Sequence, residues 1–514
     1  MSDKTTSSGA TYSQAEEGYF EKRQLQRSAG FWGIWGIGIA AVISGQFSGW
    51  SYGLGEAGWG GMLVAFVIIV VMYFGMLFSI GEMSAAMPHT GGAYSFGRAA
   101  MGPWGGFVTG LAETIEYVFT TGVVVLFSAG YANAVTDELF GFSMDPWMWW
   151  LVLYVLFVGL NSLGAETSFR FAIVVSVISI GIIFVFAALA IAKGAVDFSL
   201  LNDVGDGSFM PFGVSGLLAA LPFAMWFFLG IEELPLAAEE AKNPTRDIPK
   251  ASVWGMITLV VCAAVVFVLN PAVTGSALIG LETPGAADEP LLAGFNTFMS
   301  ADAAALLSAF ALIGLLASLQ GIMFAYGRNM YSLSRAGYYP KPLSVTGKNK
   351  TPWAALVTGA VIGFIVLVAV DLLGNVSETV GSKATAIVLY IAVWGAVISY
   401  VLQMVSFVIL RRKFPTAKRP YVSPVGVPGA VVAGVIAAVV FIGILINPDF
   451  RPAIIAIAIV YAIGLLTFGL YIRHNLVLSP EEEYAVSGGL HGVDLDAEGL
   501  GGTIEDEILK GNTE

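Results

Sequence analysis

Apolar residues in this chain are gathered into long blocks separated by polar turns. The hydrocarbon core of a bilayer is about 30 Å thick, and a helix crossing it needs roughly 20 apolar residues. Blocks of that size fall at 31–56, 60–87, 104–134, 146–163, 168–192, 214–238, 251–275, 302–333, 353–373, 384–410, 427–446 and 452–473. They predict an all-α polytopic membrane protein with twelve transmembrane helices. Composition agrees: 56% of the 514 residues are hydrophobic, 12% are charged and mean hydropathy is +0.78, far from the balance of a soluble domain. Residues 1–30 form a polar tail with Glu16, Glu17, Lys22 and Arg23, so no signal peptide is expected.

Two blocks are interrupted at corresponding places. Segment 1 contains Ser44, Gly45, Gln46, Phe47, Ser48 and Gly49, and segment 6 contains Trp226, Phe227, Gly230, Ile231, Glu232, Glu233 and Pro235. Glycine and proline disfavour helix, and unwound backbone is tolerated at membrane depth only where it lines a cavity. Breaks in the first helix of two successive five-helix units predict an inverted repeat, 31–192 followed by 214–410, with a binding site between the breaks and two further helices at 427–473. The plainer alternative is that the glycines only let helices pack closely.

Charge adds orientation. Nearly all lysines and arginines, among them Arg98, Arg170, Arg328, Arg335 and the run at 411–419, fall on one side of the predicted helices, and only Lys193, Lys383 and Arg451 on the other. Positive loops stay inside, so both termini are expected in the cytoplasm and the chain in the plasma membrane of the cell. Net charge is −13, but residues 475–514 hold ten acidic groups and one lysine, leaving −4 elsewhere. That acidic, Gly-rich tail is expected to be disordered and solvated. Cys262 stands alone, which leaves no intramolecular disulfide and reads as packing.

Three stretches carry a family resemblance: GEMSAAMPHTGGAYSFGRAAMGPWGGF (81–107), FLGIEELPLAAEEAKNPTRDIPK (228–250) and YGRNMYSLSRAGYYPKPL (326–343). The chain resembles the amino acid–polyamine–organocation transporters over residues 30–475. This resemblance implies a LeuT-like fold of two inverted five-helix repeats, with helices 1 and 6 broken. Substrate would lie between the breaks, flanked by helices 3, 8 and 10. It also implies a proton-coupling role for Glu232. Within the superfamily, GIAAVISGQFSGW, LAETIEYV and FFLGIEELPLAAEE look most like the ethanolamine permeases. Common amino-acid permeases carry Ile-Gly-x-Gly-Ile-Phe in helix 1, which here becomes Val42 to Phe47. They often have Gly-Trp early in helix 3, where this chain has Gly110 and Leu111 and then Glu113 and Glu116. Both departures fall at the expected site.

Glu113, Glu116 and Tyr117 are spaced by three and four, which places them on one face of helix 3. A carboxylate at the bilayer centre is costly, and such groups face a bundle interior, a partner or a wet cavity. No lysine or arginine falls at comparable depth, so the two glutamates are not expected to be ionised together. Three readings stand. A cationic substrate supplies the missing charge and packs on Tyr117, Trp226, Phe227 or Phe228 through cation–π contact. One glutamate, Glu116 or Glu232, carries a coupling proton. Or both carboxyls are protonated polar glue between helices.

Sodium coupling has less support. Related sodium-coupled folds place adjacent hydroxyls on helix 8, where this chain has only Ser318 near that depth, followed by Gln320; residues 171–192 contain no lysine to mimic the ion. Three histidines, one cysteine and no GxxxxGK[ST] stretch point away from a metal cluster, a cofactor or an ATP-driven pump. His89 and Arg98 read as loop residues that fix topology, and RRKFPTAKRP (411–420) as an anchor at anionic headgroups, not a nucleic-acid site. The expected partners are lipid, protons and a small amine. The expectation is a secondary transporter, not an enzyme, importing ethanolamine by alternating access, proton-coupled or exchanging. Ser44, Gly45, Gln46, Phe47, Ser48, Glu113, Glu116, Tyr117, Trp226, Phe227, Gly230 and Ile231 would form its substrate site. An amino acid or polyamine permease is the alternative, and a non-transporting sensor on the same fold a more distant one.

Overall fold

A computed structural model describes residues 4–5, 10–13, 15, 18–282, 284–376, 384–446 and 451–487. Among them, ten helices are long and apolar enough to cross a membrane, and two apolar helical stretches, Phe31–Gln46 and Pro146–Ser162, are shorter. The chain is an all-α polytopic membrane protein. Its principal helices are α1 (Phe31–Val42), α2 (Tyr52–Ala86), α3 (Gly92–Phe140), α4 (Pro146–Ser162), α5 (Ala165–Ala192), α6 (Gly213–Trp226) and α7 (Pro244–Thr274). There follow α8 (Ala301–Arg335), α9 (Trp353–Val376), α10 (Ala384–Lys413), α11 (Gly426–Ile446), α12 (Arg451–Leu470) and the short α13 (Pro480–Val486).

The predicted gap between segments 1 and 2 is a kink at Gly58 inside α2. Segment 3 begins earlier than hydropathy placed it. Residues Gly92 to Met101 are helical but carry Tyr94, Ser95 and Arg98, and they join the spanning part at a kink at Gly102, just before Pro103. Helix α3 packs along α10 and α8, α2 along α6 and α7, and α1 against α5, α7 and α8. Outward-facing Val155, Ile365, Ile463 and Leu466 are exposed, as expected where lipid is the solvent.

Both described ends of the chain lie on one face. Strands β1 (Lys4–Thr5) and β2 (Thr11–Ser13) pair antiparallel, and β2 pairs parallel with β3 (Leu476–Val477). This corrects the solvated tail expected from residue 475. Its first dozen residues are folded, and Glu481, Glu482 and Glu483 are 1%, 0% and 0% exposed. Composition counts the carboxylates but not the guanidiniums that the fold brings to them: Arg335 lies 2.5 Å from Glu481 and Arg98 2.6 Å from Glu482. Arg98 is therefore a buried helical residue, not a solvated loop cation. The rest of that acidic tail, 488–514, lies outside the described residues. Likewise, the basic run at 411–420 turns partly inward, because Arg411 and Arg419 both pair with Glu82.

Candidate functional site

The two interrupted helices meet. Beyond α1 the chain makes a 3-10 turn, Ile43–Gln46, and beyond α6 it turns through residues 227–230, leaving helical geometry at Gly230, and resumes as a tighter 3-10 segment, Ile231–Glu240. At Gly45 the approach is so close that an added Cβ would lie 2.3 Å from the Trp226 carbonyl oxygen, so only glycine fits. Gln46 Nε2 donates to the Phe227 carbonyl at 2.9 Å, and Trp50 stacks on the Phe227 ring. Gly230 has φ +106° and faces the Ile322 side chain of α8; the backbone conformation is what favours glycine here. Behind the first break, Ser318 Oγ donates to the Ala40 carbonyl at 2.8 Å and accepts from Ser44 N–H at 3.0 Å.

Backbone donors at the breaks are largely satisfied within the protein. Phe47 and Ser48 N–H bond to the Ser44 carbonyl, Ile231 N–H to Phe228, and Glu233 N–H to Gly230. Gly230 N–H donates to Glu232 Oε2 at 3.1 Å. What the site offers beyond these is a set of acceptors and, among the described residues, three side-chain donors without a hydrogen-bond partner, Ser48 Oγ, Trp50 Nε1 and Trp226 Nε1.

Three of those acceptors are carboxyl groups: Glu113, Glu116 and Glu232 are 2%, 0% and 3% exposed. Glu113 accepts from Tyr117 Oη at 3.3 Å and from Asn329 Nδ2 of α8 at 3.4 Å. Glu116 turns the other way, accepting from Tyr400 Oη of α10 at 3.2 Å, and Tyr400 in turn contacts Tyr73 Oη at 3.2 Å. The Glu116 and Glu232 carboxyl groups are close neighbours, and among the described residues Glu116 Oε2 and Glu232 Oε1 are buried with no hydrogen-bond partner. A hydrogen bond between two carboxyl groups requires a proton held between them. Among the described residues, no lysine or arginine forms an ion pair with Glu113, Glu116 or Glu232.

The one-face expectation for helix 3 therefore splits into two environments, Glu113 toward α8 and Glu116 toward α10 and the broken helix 6. Of the other expected site residues, Ser44, Gly45, Gln46, Phe227 and Gly230 line the contact between the breaks. Ser48 Oγ is buried with no hydrogen-bond partner, and so is Trp226 Nε1, whose ring meets Phe127 edge-on. Phe47 packs its ring where Gly314 leaves room, and Ile231 fills the space at Gly38 and Gly255, so both side chains point into helix interfaces. Sequence reading missed Tyr73, Tyr400 and Asn329. Asn329 stands inside the quoted YGRNMYSLSRAG stretch; Tyr400 carries no local signal, since only tertiary packing brings it to Glu116.

A family model described as amino acid permease matches residues 33–480. The branched-chain amino acid permease BcaP of Bacillus subtilis is 25% identical over 89% of this chain and 96% of its own length. A putative histidine permease of the same organism is 26% identical over 76% of this chain and 81% of its own. The lysine-specific permease LysP of Lactococcus lactis subsp. cremoris is 26% identical, covering 59% of this chain and 61% of its own. With two broken helices in contact over buried, uncompensated carboxyl groups, and a family match across nearly all its membrane helices, this chain belongs to the amino acid permease family of membrane transporters.

Proposed function

We propose that the protein imports a small organic cation, ethanolamine first, across the plasma membrane by alternating access, in symport with protons and with both termini in the cytoplasm. The observation that carries this reading is the inventory of the site: its break N–H groups are largely engaged by the protein, whereas Glu113 is a buried carboxyl group with, among the described residues, no cation beside it. Such a carboxyl group complements an ammonium group, while Ser48 Oγ and Trp226 Nε1 are donors open to a hydroxyl or, on the second reading below, to a carboxylate. Glu113 binds the ammonium, Tyr117 lies beside it, and Gln46 and Ser48 are at hand for a hydroxyl.

Glu116 and Glu232 share the coupling proton. Glu232 also holds Gly230 N–H, so a change in its protonation acts directly on the turn that breaks helix 6. A second reading, an amino acid permease, is favoured by the relatives, whose names specify histidine, branched-chain amino acids and lysine. An amino acid presents the same ammonium but also needs donors for its carboxylate. Purified protein in liposomes, assayed with labelled ethanolamine, leucine, arginine and putrescine under separate proton and sodium gradients, separates the readings. Saturable ethanolamine uptake driven by a proton gradient is expected; saturable leucine uptake that ethanolamine does not compete would replace the first reading with the second.

A further inference from the structure

We infer that residues 476–487 are a latch that closes the transport path at the face carrying both chain ends, and that this end opens only when the segment leaves. The segment is short and acidic, yet it is among the most buried parts of that face. Glu482 accepts from Arg98 Nε at 2.6 Å, Tyr94 Oη at 2.8 Å and Tyr338 Oη at 3.0 Å, and also from Tyr12 Oη. Glu481 accepts from Arg335 at 2.5 Å and from Ser332 Oγ at 2.7 Å. Val477 N–H bonds to the Ala336 carbonyl, and β3 pairs with β2.

Its position relative to the central site makes this a closure and not a remote staple. Asn329 reaches Glu113, and Ser332, three residues further along the same face of α8, reaches Glu481. Three residues of helix rise about 4.5 Å, so the segment sits roughly one turn from the central carboxyl group. Arg335 binds Glu481 and, at 2.6 Å, Glu239 at the end of the broken helix 6. One guanidinium thus joins the C-terminal segment, α8 and helix 6. Any opening here must part helix 6 from α8, and the segment ties the same arginine a second time. Burying several carboxylates is tolerable only while the guanidiniums and hydroxyls stay in place, so departure is all-or-none.

The test uses the full chain in lipid nanodiscs, with Cys262→Ala and one reporter cysteine read by a membrane-impermeant maleimide. Ser95→Cys reports on the cover, because a Cβ built on Gly91 would meet both Ser95 Oγ and Glu481 Cγ; Asn329→Cys reports on the path one turn deeper. With the segment intact both label slowly. Deleting 479–514, or combining Glu481→Gln with Glu482→Gln, should accelerate both by about tenfold or more, as expected for loss of a local closing unit. A synthetic peptide of residues 475–488 should slow labelling of the deleted protein again. If the deletion prevents folding, the double glutamine variant, which keeps the whole chain, decides. Acceleration at Ser95→Cys without acceleration at Asn329→Cys makes the segment a mere cover and overturns the latch, as does an unchanged rate at both.

Discussion

Arg328 and Asn329 are neighbours on α8, and each serves a buried glutamate. Arg328 grips Glu240 with two bonds at 2.7 and 3.2 Å, both side chains wholly buried, while Asn329 gives Glu113 a single long contact of 3.4 Å. The same difference separates two regions of the molecule. At the face carrying the chain ends, Glu82, Glu239, Glu240, Glu481 and Glu482 all have guanidiniums; at the centre, among the described residues, Glu113, Glu116 and Glu232 have only hydroxyl, amide and carboxyl neighbours. A charge buried with its partner is architecture. A carboxyl group buried without one is, on the function proposed above, the place where an ammonium group or a proton binds and leaves.

The strongest way to break that contrast is Arg328→Ala. It leaves Glu240 buried and unpaired, which costs about 3–5 kcal/mol, and should appear as a large fall in thermal midpoint of the purified protein. A small change would mean that the paired region is not held by its pairs. Next in size, Glu232→Gln removes the shared proton but keeps the shape. Proton-driven accumulation should fall about a hundredfold while substrate exchange persists, a loss of about 2.7 kcal/mol in coupling; concentrative uptake at the parental level would end the coupling assignment.

Glu113→Gln sharpens the contrast from the other side. Substrate affinity by calorimetry should weaken at least about tenfold, since a bond to a charged group contributes about 1.5–3 kcal/mol, with the thermal midpoint unchanged or raised. Lost stability instead would mark Glu113 as structural. Acidity gives a smaller signal. Burial would raise the Glu481 carboxyl group, but Arg335, helped by His89 and Ser332, outweighs it and holds the group at about 2. A lowered carboxyl contributes its stability above the unfolded value of 4.5, and that contribution is lost as pH falls from there through about 2. Measured against a fully exposed cysteine, so that the falling thiolate fraction cancels, protection of Ser95→Cys should therefore lose nothing to Glu481 between about pH 8 and 5. Smallest of all, Arg170→Ala removes an exposed pair with Glu166 and should shift stability by no more than about 0.5 kcal/mol.

The helices were legible because lipid demands long apolar runs, and the breaks because glycine, serine and proline cluster against that demand. Glu113 and Glu116 were legible as a costly pair. Their separate directions were not, because the helical period places both on one face and cannot say that Asn329 stands before one and Tyr400 before the other. The C-terminal segment was misread for a related reason. Composition treats PEEEYAV as solvent-loving, and its fate depends on Arg98 and Arg335, which are 384 and 146 residues away in the chain.

The pairing of β2 with β3 joins positions such as Ser13 and Leu476, 463 residues apart. A ribosome delivers the first early and the second only after α1 to α12 have been handed to the bilayer. The seal on this face therefore doubles as a checkpoint of synthesis: a half-made chain has no means of shutting itself, and a chain that has shut has been read past α12.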